Sequence, residues 1–208
     1  MSDVKRPYRS PRRKAQARHT RERIVEAARQ LWVEHGFDGT TIDAIAADAG
    51  VASQTVYATF GSKGGILTAL LGELEARAGG ESLMADLAAA PTPLGQLAIV
   101  AAFNRRLFEG GADILAIAIG TVSMDPDVAA WVSEGDRRRR DGQAYIVAGW
   151  KKGGGLRIDI GEARDVLYAL TSPELFLLFV NRQGWSPDRH ERWLIDTLAT
   201  LLFGPEGR

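Results

Sequence analysis

From about Arg18 the apolar positions Ile24, Ala28, Leu31 and Trp32 return at helical spacing, and Gly36 followed by Phe37 supplies a left-handed stop with an apolar residue behind it. This pattern predicts a first helix. Thr40 or Thr41 can cap a second, short helix that carries Ile42, Ile45, Ala46 and Ala49 on one face and ends at Gly50. The next segment, Ser53 to Phe60, is too short to stand alone, so it must pack Val56 and Phe60 against its neighbours and leave its other face free. Ser62 caps a fourth helix bearing Ile66, Leu67, Leu70, Leu71 and Leu74, which fades in Gly79 and Gly80. Beyond Pro91 and Pro93, helical patterns cover about 94–109, 113–123, 127–152 and 162–170, with a break at Gly153 to Gly155. Ser172-Pro173-Glu174 and Ser186-Pro187-Asp188 are two further starts: Ser caps, Pro fits the first turn and the acid faces the positive end of the helix dipole. Without sustained period-two alternation, the predicted class is all-α.

Charge changes this picture at one end only. The formal net charge is +0, yet residues 1–30 hold ten Lys or Arg against Asp3, Glu22 and Glu26. That end therefore carries an excess of seven positive charges, and the rest of the chain balances it. A basic end on an acidic chain is the footprint expected when one end meets phosphate; a solubilising tail is the plainer account. Residues 1–17, with Pro7, Pro11 and many charges, read as a flexible basic arm. Arg12, Arg13 and Lys14 in it suit phosphate attraction, or entry into a minor groove. The expected domains are this arm, a helix-turn-helix head over 18–61 and a helical body over 62–208.

Chemistry of other kinds finds little support. The absence of Cys removes disulfides, zinc-thiolate sites and a Cys nucleophile. His19, His35 and His190 lack metal spacing, and no nucleophile, base and oxyanion donors converge. The expectation is no enzyme, no metal and no cofactor. The longest nearly uncharged apolar stretch, Ile114 to Met124, is too short to span a bilayer, and no signal peptide is legible. A cytoplasmic protein without a membrane partner is expected.

A short capped helix, a Gly turn and a second short helix describe a helix-turn-helix of the kind that docks in a major groove, although small bundles contain similar corners. The residues themselves go further. Thr40-Thr41-Ile42-Asp43-Ala44-Ile45-Ala46, then Gly50-Val51-Ala52-Ser53-Gln54-Thr55-Val56-Tyr57-Ala58-Thr59-Phe60-Gly61-Ser62-Lys63, closely resemble the signature of the TetR family. The resemblance covers residues 18–71 and implies a three-helix head on a larger helical body, regulating transcription from a double-stranded DNA operator. Ser53, Gln54 and Thr55 start the second short helix, where short polar side chains reach base edges. The resemblance assigns backbone contacts to Thr41, Tyr57, Thr59 and Lys63, each with a donor suited to phosphate. Ala58 and Thr59 depart from the aromatic and His or bulky polar residue common in the family. Ala52 replaces the usual Ser cap, with Ser53 able to cap one residue later.

For the body the resemblance implies a homodimer through the last two helices, here 162–181 and 188–203. Phe176, Phe179, Trp193, Leu194, Leu198 and Leu201 supply more apolar surface than one exposed face should show, although intrachain packing accounts for any one of them. Phe103, Leu107, Phe108, Met124, Trp131, Tyr145 and Trp150 stand where the family builds an effector cavity, suited to a small apolar or aromatic molecule. Core packing explains them equally well. Asn104, Arg105, Asp113 and Ser123 can add polar anchors. Arg137 to Arg140 read as solvated or paired with acids, since a continuous run spreads around a helix.

Overall fold

The structure, a computed structural model, describes residues 11–153 and 155–204. Among the described residues the regular elements are helices joined by turns, with one isolated backbone bridge, and the chain divides into two compact units, one through Ala69 and one from Leu70. We call them head and body.

The head contains α1 (Pro11–Gly39), α2 (Ile42–Asp48), α3 (Ser53–Phe60) and the first turns of α4 (Lys63–Arg77). Helix α1 starts inside the segment expected to be a flexible arm. Pro11 fits a first helical turn, and Arg12 to Arg18 are strong helix formers, so propensity carries the helix back where no apolar face exists. The remainder of the expected arm, residues 1–10, lies outside the described residues. Gly36, at φ 75°, breaks α1 as expected. The Thr40 hydroxyl then donates to the carbonyl of Gly36 at 2.8 Å, and Trp32 packs on Phe37 with ring centroids 5.2 Å apart. Ile24, Ala28, Ile45, Ala46, Val56, Ile66 and Leu67 bury the head's core, all of them read as apolar positions from the sequence, whereas Leu31, Ile42 and Phe60 are half-buried.

Between α2 and α3, Gly50 adopts φ 60°; the N–H of Gly50 donates to Ala47 O at 3.1 Å and that of Val51 to Ala46 O at 2.9 Å. This paired closure uses orphan carbonyls at the end of α2 and turns the chain at once into α3. Arg23 reaches across from α1 and donates to the carbonyl of Ala49.

The body consists of the rest of α4, α5 (Leu83–Ala89), α6 (Pro93–Thr121), α7 (Pro126–Lys152), α8 (Ile160–Leu170), α9 (Pro173–Leu177), a π-helical turn (Leu178–Arg182) and α10 (Pro187–Leu202). Side chains of Thr92, Asp125, Asp159, Ser172 and Ser186 accept the first-turn N–H groups of their helices. The two Ser-Pro-acid starts thus act as their sequence indicates. Helix α5 was not expected, because Gly79 and Gly80 suggest a fading end, although Leu83 and Leu87 sit one turn apart.

Helix α6 unites the two expected helices 94–109 and 113–123, bending at Gly111 (φ −139°, ψ 23°). A β-carbon there would meet the end of the Leu74 side chain of α4, so close packing, and not a turn, favours the glycine. A second core joins α6, α7, α8 and α10 through Leu97, Val147, Trp150, Leu167, Leu198, Leu202 and Phe203. Trp150 meets Phe203 edge-on at 5.0 Å. Among the described residues no single helix is long and apolar enough to cross a membrane.

Candidate nucleic-acid interface and cavity

In the head, α2 and α3 present a small set of exposed polar side chains on a firmly closed frame. Thr41 caps α2: its Oγ accepts from the N–H of Ala44 at 3.1 Å, so its hydroxyl proton remains for another partner. Gln54 is exposed, Thr55 is half-buried, and Tyr57 is 52% exposed, which places its ring outside the core. The Thr59 hydroxyl donates back to Thr55 O at 2.7 Å. Ser53 does not cap α3. Its hydroxyl donates to Asp43 Oδ1 at 2.6 Å, a bond between the two helices of the motif, while Ala52 occupies the cap position without a side-chain bond.

Lys63 occupies a different environment from the one expected. Its Nζ donates to Phe37 O at 2.7 Å and Thr40 O at 2.9 Å and lies 4.6 Å above the Phe37 ring, so two of its three N–H groups close the end of α1. Three structural side chains escaped the sequence reading. Arg23 binds the end of α2, Asp43 holds Ser53, and Arg21 stacks 4.5 Å from the Phe60 centroid. A basic run hides such roles, because a phosphate contact and a carbonyl cap ask for the same side chain.

The body encloses a cavity of about 430 Å³ among α4 to α9. Phe103, Leu107, Phe108 and Trp131 line it, as expected. Three other expected residues do not. Met124 and Tyr145 are 58% and 68% exposed, while Trp150 lies in the second core and donates through Nε1 to Gln96 Oε1 at 2.7 Å. The helical phase of α7 decides this: Trp131, Tyr145 and Trp150 fall on different faces, which composition cannot reveal. Of the possible polar anchors, Asn104 lines the cavity. Arg105 instead pairs with Glu109, Asp188 and Glu191, which raise its already high pKa.

The run Arg137 to Arg140 splits as its spread around the helix requires. Arg137 pairs with Glu134 and Asp141, Arg138 grips Glu75 through two 3.0 Å bonds, and Arg140 pairs with Asp136. Arg139 faces inward. Its two Nη atoms donate to Thr171 O at 3.2 Å and Tyr168 O at 3.0 Å at the end of α8, with the guanidinium 3.9 Å from the Tyr168 ring centroid. The Tyr168 hydroxyl donates to Asp136, which raises its pKa.

Residues 24–70 match the model of the tetR family of bacterial regulatory proteins. Over those residues the chain is similar to that family. It is 42% identical over 57 residues to the uncharacterized HTH-type transcriptional regulator TtgW of Pseudomonas putida (27% of this chain, 42% of that one). It is 31% identical over 119 residues to the uncharacterized HTH-type transcriptional regulator YvkB of Bacillus subtilis (56% of this chain, 60% of that one). The chain thus spans less than two thirds of the length of either curated relative. In fold it is similar to NalD, the secondary repressor of the MexAB-OprM multidrug efflux pump in Pseudomonas aeruginosa. That structure has a TM-score of 0.77 at 20% identity, covering 92% of this chain and 99% of that chain. The matched family is one of bacterial regulatory proteins.

In the body the residues expected at a dimer interface divide sharply. Phe176, Leu194 and Leu198 are 1%, 1% and 0% exposed within the single chain, so they are core and cannot form a contact face. Their stripe is apolar because it packs on α6, as most amphipathic helices do. Phe179 and Trp193 are half-buried, stacked at 4.7 Å beside Trp185 and His190, and Leu201 is 42% exposed. His190 is buried in this aromatic cluster with Nε2 unpartnered, and burial pushes its pKa down.

Proposed function

We propose that this chain is a sequence-specific DNA-binding transcriptional regulator that binds a roughly palindromic operator as a homodimer and is released by a small, mostly apolar effector. The observation that carries the DNA reading is the exposed polar edge of the motif. Gln54 and Tyr57 project from α3 and Thr41 from the start of α2, while backbone closure and Arg23 fix the corner beneath them. Gln54 reads base edges, with Thr55 beside it; Thr41 and Tyr57 donate to phosphate, and Thr59 does so on releasing its bond to Thr55 O. Ser53 contributes by fixing α2 against α3, and Lys63 by its charge and remaining N–H. Selection of bound duplexes from random DNA tests this directly. The expected result is a palindrome whose half-sites lie one helical turn or a multiple apart, bound with affinity that falls steeply with salt. Equal binding to scrambled sequence rejects the assignment.

Exposed apolar surface beyond the aromatic cluster supports the dimer, centred on Leu201 with Phe179 and Trp193 alongside. Leu201→Asp changes a side chain that the monomer does not need, so it is expected to yield folded monomers in sedimentation. An unchanged dimer places the interface elsewhere.

The cavity supports effector control, and α4 supplies the route. The helix begins at Lys63, which is bonded to the end of α1, and its Leu71 and Glu75 line the cavity. Coupling is reciprocal, so operator DNA must weaken effector binding by the same factor that effector weakens operator binding.

A further inference from the structure

Three residues that line the cavity each carry a buried polar atom without a protein partner: Asn104 Nδ2, Arg139 Nε and Gln143 Oε1. Buried polar groups are ordinarily satisfied, so three orphans beside one empty volume ask for an outside partner. The orientation of the Gln143 amide is fixed by its neighbour. Thr171 Oγ1 spends its only proton on Leu167 O at 2.6 Å, so the Gln143 atom 2.9 Å from that oxygen must be the donor Nε2. Oε1 is then the free acceptor. Arg139 stands one turn before Gln143 on the same face of α7, and Asn104 belongs to α6.

The lining residues therefore hold two donors and one acceptor unspent. A hydroxyl group has the complementary inventory: one proton to give and two lone pairs to receive. We propose that the cavity takes an uncharged, largely apolar molecule with one hydroxyl at its polar end, an alcohol or phenol. That hydroxyl accepts from Asn104 and Arg139 and donates to Gln143. This rests on the effector reading above and names its ligand class. A carboxylate fits poorly, since it offers only acceptors and sets its charge against Gln143 Oε1. Glu75, Asp136 and Glu174 also line the space, and Arg138 and Arg140 are already paired with carboxylates. An ammonium group has no acceptor for the two donors. Val100, Leu107, Phe108 and Trp131 supply the apolar remainder.

The test uses the full chain and three probes of one shape: 4-hexylphenol, its methyl ether 4-hexylanisole, and 4-hexylbenzoate, with affinity measured by calorimetry. The phenol is expected to bind at least tenfold more tightly than either of the others. In Gln143→Leu its advantage over the ether should shrink to within about twofold, and Asn104→Leu should weaken the phenol by a similar factor. Thermal melting establishes that each variant is folded, and if one is not, the other answers alone. Equal binding of phenol and ether overturns the proposal, because a trapped water then satisfies the three atoms. Tightest binding of the benzoate, or no binding of any probe, also overturns it. Preferential phenol binding that leaves operator affinity unchanged keeps the ligand assignment and rejects effector control, so the two readings fail separately.

Discussion

In the head, Arg23, Thr40 and Lys63 turn their polar ends onto backbone carbonyls at helix ends, and the leftover polar groups of Gln54 and Tyr57 face outward. In the body, Asn104, Arg139 and Gln143 keep polar atoms buried beside a cavity with nothing to meet. The contrast follows from the size of what each region is proposed to recognise. A long polyelectrolyte is read by a rigid edge, whose rigidity comes from donors spent on helix ends. A small molecule is read from within, where an unspent hydrogen bond is strongest and most selective.

The largest expected effect probes the head's rigidity. Ile45 is fully buried, and Ile45→Ala should cost about 2–5 kcal/mol in denaturant unfolding, with operator binding lost in step. Retained operator affinity at that cost would show that the reading edge does not depend on its packing. Next, Lys63→Met removes two charge-assisted bonds to Phe37 and Thr40 and should cost about 1.5–3 kcal/mol, together with a uniform loss of affinity across DNA sequences. A loss of affinity without a loss of stability would return Lys63 to a purely phosphate-binding role. Gln54→Ala should leave stability within about 0.5 kcal/mol yet shift preference at one base position by about 1–3 kcal/mol, measured by competition between operators.

The smallest effect belongs to the body and to pH. His190 has a folded pKa below its unfolded value, so the unfolded chain binds the extra proton first. Stability should therefore fall as pH drops from the ordinary His range of about 6.5 towards the depressed value. His190→Phe should flatten that limb of the melting profile. An equally steep loss in the variant assigns the acid sensitivity to other groups.

The parts of this molecule legible in its sequence are those where local chemistry decides alone. The Ser186-Pro187-Asp188 start predicts α10 because cap, ring and dipole act within four residues, and the Ser186 hydroxyl does accept from the N–H of Arg189. Gly36 and Gly50 likewise announce two of the breaks in the head. Helix α5 and the early start of α1 were hidden because propensity there acts without an apolar stripe of the usual length. The cavity was half legible: Phe103 and Trp131 face it, whereas Tyr145 points to solvent, since aromatic content says nothing about helical phase. The orphan atoms were not legible, because an unpaired bond is defined by neighbours far along the chain.

The bend at Gly111 ties two positions 37 residues apart into one heritable unit. A methyl group added at 111 forces the Leu74 side chain to shift, while a shorter side chain at 74 alone leaves a void against α6. Either change is disfavoured by itself, and the two together exchange volume across the contact. Across descendants of this sequence, positions 74 and 111 should therefore drift as a pair, with bulk appearing at one only when it is surrendered at the other.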